Sequence, residues 1–158
     1  MRNQRMRTLV LMAATAIGLS GADNSIGTWK RNAEKSKYNP MPANPIKSQT
    51  MVREAVDGGV KITARGQRAD GSPVNTTYIL KYDGKPVSVS GTGSSFDTAS
   101  AKQLNANTFT NETKKSGGKY HITGRTVISN DGKTMTMIAK GTDADGKPIS
   151  FTIVWDKQ

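Results

Sequence analysis

The stretch Val60 to Gly84, "VKITARGQRADGSPVNTTYILKYDG", decides the fold. In its first run Val60, Ile62, Ala64 and Gly66 point one way and Lys61, Thr63 and Arg65 the other. In its second run Val74, Tyr78, Leu80 and Tyr82 share a face. Asp70-Gly71 lies between them, and Asp-Gly is a strong hairpin signal because both residues tolerate the positive φ of a tight turn. The same turn recurs at Asp57-Gly58, Asp83-Gly84, Asp131-Gly132 and Asp145-Gly146. Alternation recurs as well. Tyr120, Ile122 and Ile128 share a face, with Gly124 and Thr126 between; so do Met135, Met137 and Ala139, and Ile149, Phe151, Ile153 and Trp155. Period two with one wet face specifies antiparallel sheet. Less regular runs at 27–31, 50–56, 86–90, 97–104 and 107–114 bring the expectation to an all-β antiparallel meander of about 8–10 strands.

Residues 33–48 break the pattern. Pro40, Pro42 and Pro45 lack the N–H that a ladder needs, so this segment is expected to be an extended strap. A weak repeat runs through the meander at an offset of 75: "VKITARGQRADGSPV" (60–74) matches "MTMIAKGTDADGKPI" (135–149). It fits an old duplication, and equally two hairpins built on the same turn chemistry.

The first 22 residues read as a secretion signal. Arg2, Arg5 and Arg7 precede an apolar stretch from Leu9 to Leu19, and Ser20-Gly21-Ala22 offers small residues for cleavage. That stretch is too short for a bilayer, which takes about 20 residues. Removing it leaves 20 of the 23 basic residues against 12 acidic ones, a net charge of +8. The expected mature chain is one domain, residues 23–158, in a bacterial periplasm or exterior. The sequence contains no cysteine, which excludes disulfides, thiol chemistry and a lipid-modified cysteine anchor. The basic excess draws acidic partners or simply keeps the protein soluble. Its densest groups are Lys30, Arg31, Lys35 and Lys37, then Lys114, Lys115 and Lys119.

Gly27-Thr28-Trp29 opens the first strand of this meander. With the strands that follow, it resembles the calycin group of lipocalins, fatty-acid-binding proteins and avidins. There a Gly-x-Trp begins the barrel and the Trp closes one end. The runs "GTWKRNAEKSKYNP", "DGKTMTM", "KGTDADGKP" and "VWDKQ" resemble those of a family of small exported bacterial lipocalin-like proteins, from Gly27 to Gln158. The resemblance implies a closed barrel with Gly27 and Trp29 at its structural end. It also implies an interior able to hold an apolar or amphipathic small molecule. Fatty-acid-binding proteins grip a carboxylate with Arg-x-Tyr on the last strand, and "FTIVWDKQ" has no arginine.

Catalysis has little material. Five of nine aspartates sit in Asp-Gly turns, the three glutamates are scattered, and there is a single histidine, whereas acid–base or nucleophilic chemistry needs a positioned pair. His121 alternates with inward Tyr120 and Ile122, so it faces out rather than ligating a cofactor. Asp143-Ala144-Asp145-Gly146 fails the calcium-loop spacing. No phosphate loop is present, and aromatics set apart from Lys and Arg do not make a base-stacking platform for nucleic acid. The expectation is therefore a non-enzymatic binding protein without cofactor or metal. Its candidate cavity-lining residues are Ile62, Tyr78, Tyr82, Tyr120, Ile122, Met135, Met137, Phe151 and Trp155. The alternative is a barrel packed solid, with the basic surface docking to an acidic partner of the cell envelope.

Overall fold

A computed structural model describes residues 23–158; the expected signal, residues 1–22, lies outside them. The described chain is all-β. Its strands are β1 (Gly27–Asn39), β2 (Ile46–Val56), β3 (Gly59–Arg68), β4 (Pro73–Leu80), β5 (Val87–Ser88), β6 (Ser90–Thr92), β7 (Thr98–Asn105), β8 (Thr108–Lys114), β9 (His121–Ile128), β10 (Thr134–Thr142) and β11 (Pro148–Lys157). All pair antiparallel in one sheet, in the order β5-β7-β8-β9-β10-β11-β1-β2-β3-β4-β6.

The two ends of that order are neighbours in the chain. Only Val89 separates β5, which pairs with β7, from β6, which pairs with β4. Val89 itself donates its N–H to Asp97 O at 2.8 Å. One stretch thus joins both edges and closes the sheet. Taken as a single strand, it makes a barrel of ten.

The Asp-Gly glycines adopt the positive φ their turns demand, from +70° at Gly132 to +84° at Gly71. The repeat noted in the sequence is also a repeat in space. Ala64 pairs with Thr76 and Gly66 with Val74, as Ala139 pairs with Phe151 and Gly141 with Ile149. Turn bonds match too: Arg68 N to Ser72 O and Asp143 N to Lys147 O are both 2.9 Å.

The strap is shorter than expected. Residues 33–39 belong to β1 and 46–48 to β2, leaving only 40–45 between strands. The prolines stop the ladder from 40 onward but not before it. Ahead of them β1 bulges: Asn32 pairs with Val154 and the next partner, Lys37, with Thr152. Asn32 and Ser36 hold the bulge, through Lys35 N to Asn32 Oδ1 at 3.0 Å and Ser36 Oγ to Asn32 O at 2.6 Å. The short strap is fastened by Ala69 N to Pro45 O and by Arg68, whose guanidinium donates to Asn44 O and Gly93 O.

The turns at Asp57-Gly58 and Asp131-Gly132 lie at the same end as Gly27, and the core concentrates there. Trp29 and Val60 are fully buried, with Ile62, Phe109, Ile128 and Met135 at 1–2 % exposure. Trp29 Nε1 donates to Ser25 O at 2.7 Å, and Lys157 Nζ lies 5.2 Å from the indole centroid. Truncating a buried Trp costs about 3–5 kcal/mol, the lost transfer energy plus a cavity. Trp29→Ala is accordingly expected to lower unfolding free energy by that amount in urea titration; a loss below about 1 kcal/mol would show that Trp29 is not a keystone of this end.

Candidate functional site

The inward residues divide into a sealed end and an open one. At the sealed end residues 23–26 cross beneath the barrel, with Asn24 N bonded to Ala106 O and Asn24 Nδ2 to Asn107 Oδ1. Asp23 accepts from Ser25 Oγ and, at 2.6 Å, from Tyr82 Oη. Arg53, 9 % exposed, donates Nε to Ser25 Oγ at 2.9 Å and Nη2 to Tyr82 Oη at 2.8 Å, and its guanidinium stands 5.9 Å from the Phe109 ring. A buried cation is tolerable when its donors are satisfied and an anion stands near; Asp23 reaches Arg53 through these two hydroxyls. Tyr82 takes a left-handed φ of +58° to join the network. Its backbone strain of about 1–3 kcal/mol is offset by these bonds and by a 5.1 Å ring contact with Phe109.

Above this plug, cross-strand rows fill the barrel unevenly. One inward row is Ile128–Met135–Trp155–Arg31, all buried. Two residues further along the strands the row is Phe109–Thr126–Met137–Ile153, and four residues further it is Ala101–Asn111–Gly124–Ala139–Phe151–Tyr38, four of the latter small or polar. Asn111 and Thr126 exchange bonds of 3.1 Å inside the wall. Side chains just fill an eight-stranded barrel, and diameter grows with strand number. A ten-stranded wall with Ala, Asn and Gly in one row lacks there the large side chains that would fill it.

Exposure follows the same division. Tyr38, Tyr78, Phe96, Tyr120, Met137 and Phe151 are inward yet only half-buried. Their rings form two groups: Tyr38 meets Phe151 at 5.7 Å, while Phe96 stacks on Tyr120 at 6.2 Å with planes 20° apart and Tyr78 stands edge-on to Phe96 at 6.4 Å. Burial pushes the phenols of Tyr78 and Tyr82 up, against a nearby Arg53 that pulls them down. Burial also raises Tyr120, partly offset by a bond with Thr113. Tyr78 is thus deep in the protein while part of its surface stays accessible, as expected of a side chain facing internal space.

The candidate residues therefore separate. Ile62, Ile122, Met135 and Trp155 are buried and pack the wall or floor. Tyr82 belongs to the sealed end with Gly27 and Trp29. Tyr78, Tyr120, Met137 and Phe151 are the half-buried ones. His121 faces outward, as alternation requires, and bonds Glu112 at 2.6 Å. Two expectations are corrected. Arg31 was placed in a surface charge group but is 8 % exposed, because it shares the inward parity of Trp29. Nor are Lys and Arg wholly segregated from the aromatics, since Arg31 and Arg53 both stand among them. The sequence reading missed Tyr38 and Phe96, one hidden in the supposed strap and the other in a loop. A separate concavity of about 710 Å³ lies on the outer face of β7–β11, where Lys102, Arg125 and Lys140 surround Ile138, itself 63 % exposed.

No family model matches the chain, and no curated protein matches it. Solved structures do. The zebrafish ileal bile acid-binding protein complexed with cholic acid matches with 11 % identity and a TM-score of 0.52, over 86 % of this chain and 100 % of that one. A redesigned β-barrel, mFAP1, bound to DFHBI matches with 12 % identity and a TM-score of 0.45, over 85 % and 95 %. The likeness is one of fold. The chain has the antiparallel barrel architecture of the fatty-acid-binding-protein type.

The raised phenols carry a pH dependence. A tyrosine whose folded pKa lies above its unfolded value near 10.0 binds its proton more tightly when folded. Its contribution to stability is complete below pH 10 and is lost as pH rises toward the folded value. In alkaline titration the tyrosinate absorbance of Tyr78, Tyr82 and Tyr120 is expected to develop together with loss of the β-sheet circular dichroism. Full ionisation with the sheet intact would contradict the burial.

Proposed function

We propose that the chain is an exported binding protein, periplasmic or secreted, whose barrel takes up an apolar or amphipathic small molecule and performs no reaction on it. The observation that carries this reading is the gradient inside the barrel. One end is sealed by the Asp23–Ser25–Arg53–Tyr82 network beneath Trp29. The remainder presents half-buried Tyr78, Phe96, Tyr120, Met137 and Phe151 around a row of small residues. Ligand sites are concave and mostly apolar, with a few placed polar groups, and this interior fits that description. The bile-acid complex of the similar barrel is consistent with a ligand inside such a wall. Export rests on the signal-like residues 1–22.

Met137 lies mid-barrel between Thr126 and Ile153. Met137→Arg is expected to weaken binding of a neutral environment-sensitive probe, N-phenyl-1-naphthylamine, by more than about tenfold while circular dichroism stays that of the parent. Equal affinity in a folded variant would contradict the reading.

The outer concavity supports a second reading, a basic docking surface for an acidic partner. Lys102, Arg125 and Lys140 line it, with Glu112 as its single acid. Surface attraction of this kind is screened by salt. Retention on heparin that falls steeply between low and high salt, and falls again in Lys102→Ala/Lys140→Ala protein, is its expected signature; salt-independent retention would contradict it.

A further inference from the structure

Among the described residues Arg31 has no ion-pair partner, though it is only 8 % exposed. Its Nη2 donates to Tyr38 Oη at 2.7 Å, and its Cζ stands 5.5 Å from the Tyr38 centroid. Its Nε is buried with no hydrogen-bond partner among the described residues. Arg53, the other buried arginine, places both Nε and Nη2 on hydroxyls that themselves bind the Asp23 carboxylate. One buried guanidinium is thus completed by the chain and the other is left incomplete. Leaving a buried donor bare is costly, and more so when it is charged.

The fold builds the position deliberately. Arg31 pairs with Trp155 and so starts at the packed floor. The bulge over residues 33–36 leaves Ile153, next inward on β11, with no paired residue on β1. Through that gap the guanidinium reaches Tyr38, which returns to the ladder opposite Phe151. The cation therefore stands between the filled floor and the aromatic region.

We propose that Arg31 anchors the acid group of a small ring-bearing carboxylate held in the open half of the barrel. This deepens the binding reading above and rests on it. A carboxylate at the guanidinium supplies the missing counter-charge, and the planar fork suits it in geometry as well as charge. The ring system is favoured over a long alkyl chain by its surroundings. Trp155, Met135 and Ile153 already fill the space below. Above, Tyr38 stands 5.7 Å from Phe151, and Phe96 stands 6.2 Å from Tyr120 and 6.4 Å from Tyr78, contact distances aromatic rings prefer. Tyr38, which bonds the anchor, stands in this region through its ring contact with Phe151.

The test uses two ligands of one shape, 2-naphthoate and its neutral isostere 2-naphthamide, titrated calorimetrically at neutral pH into the parent and into Arg31→Met, which keeps an apolar stem. The parent is expected to bind the carboxylate about tenfold more tightly than the amide, and the variant to lose that preference while keeping its affinity for the amide. The parent comparison decides even if the variant fails to fold. Equal affinities in the parent, or a preference unchanged in a folded variant, overturn the anchor and leave the binding reading standing. If neither ligand binds the parent, the binding reading falls and the anchor falls with it.

Discussion

A sheet has two edges, and this one disposes of both through six residues. Val87–Ser88 pair with β7, Ser90–Thr92 pair with β4, and Val89 between them bonds Asp97. An open edge would leave backbone N–H and C=O groups unpaired and give the sheet no enclosed face. Closure instead makes inward and outward distinct at every strand position, so that alternation becomes a division between core and solvent. The burial of Trp29, the inward turn of Arg31 and the exposure of His121 all follow from that division.

Closure alone does not decide what the interior does. The sealed end is finished by polar bonds as much as by packing. Ser25 is fully buried, Arg53 nearly so, and Tyr82 accepts a left-handed backbone to reach them. Such a network fixes geometry because each member is satisfied only when the others are in place. Toward the other end the wall changes character, with Ala101, Asn111, Gly124 and Ala139 in one row and half-buried aromatics beside it. A fully packed ten-stranded barrel would need large residues in that row. The contrast between Arg53 and Arg31 repeats the contrast between the ends: one cation is completed by the chain, and the other retains a bare donor.

Much of the fold was legible because it rests on local rules. Period-two runs gave the strands, and Asp-Gly gave four hairpin turns, while at the fifth pair Asp83 instead bridges Lys102 of β7; the match of 60–74 with 135–149 proved to be a shared register. The strap was overextended because prolines were allowed to speak for residues ahead of them, when 33–36 form a bulge and 37–39 rejoin the ladder. The site was less legible. Arg31 was sorted by its charge, though parity with Trp29 two positions earlier already turned it inward. Phe96 sits in a loop, where no period applies, and its contacts with Tyr78 and Tyr120 depend on long-range closure. Tyr82 looked like a strand residue because sequence alternation does not reveal that β4 stops at Leu80.

The central claim is a barrel packed at the Trp29 end and hollow beyond it. Xenon binds apolar cavities that side chains leave unfilled, so diffraction from crystals held under xenon pressure locates such space directly. The account predicts xenon beside Met137, Phe151 and Tyr78, and none around Trp29 and Met135. Xenon confined to the Trp29 end, or an interior that takes none, would contradict it.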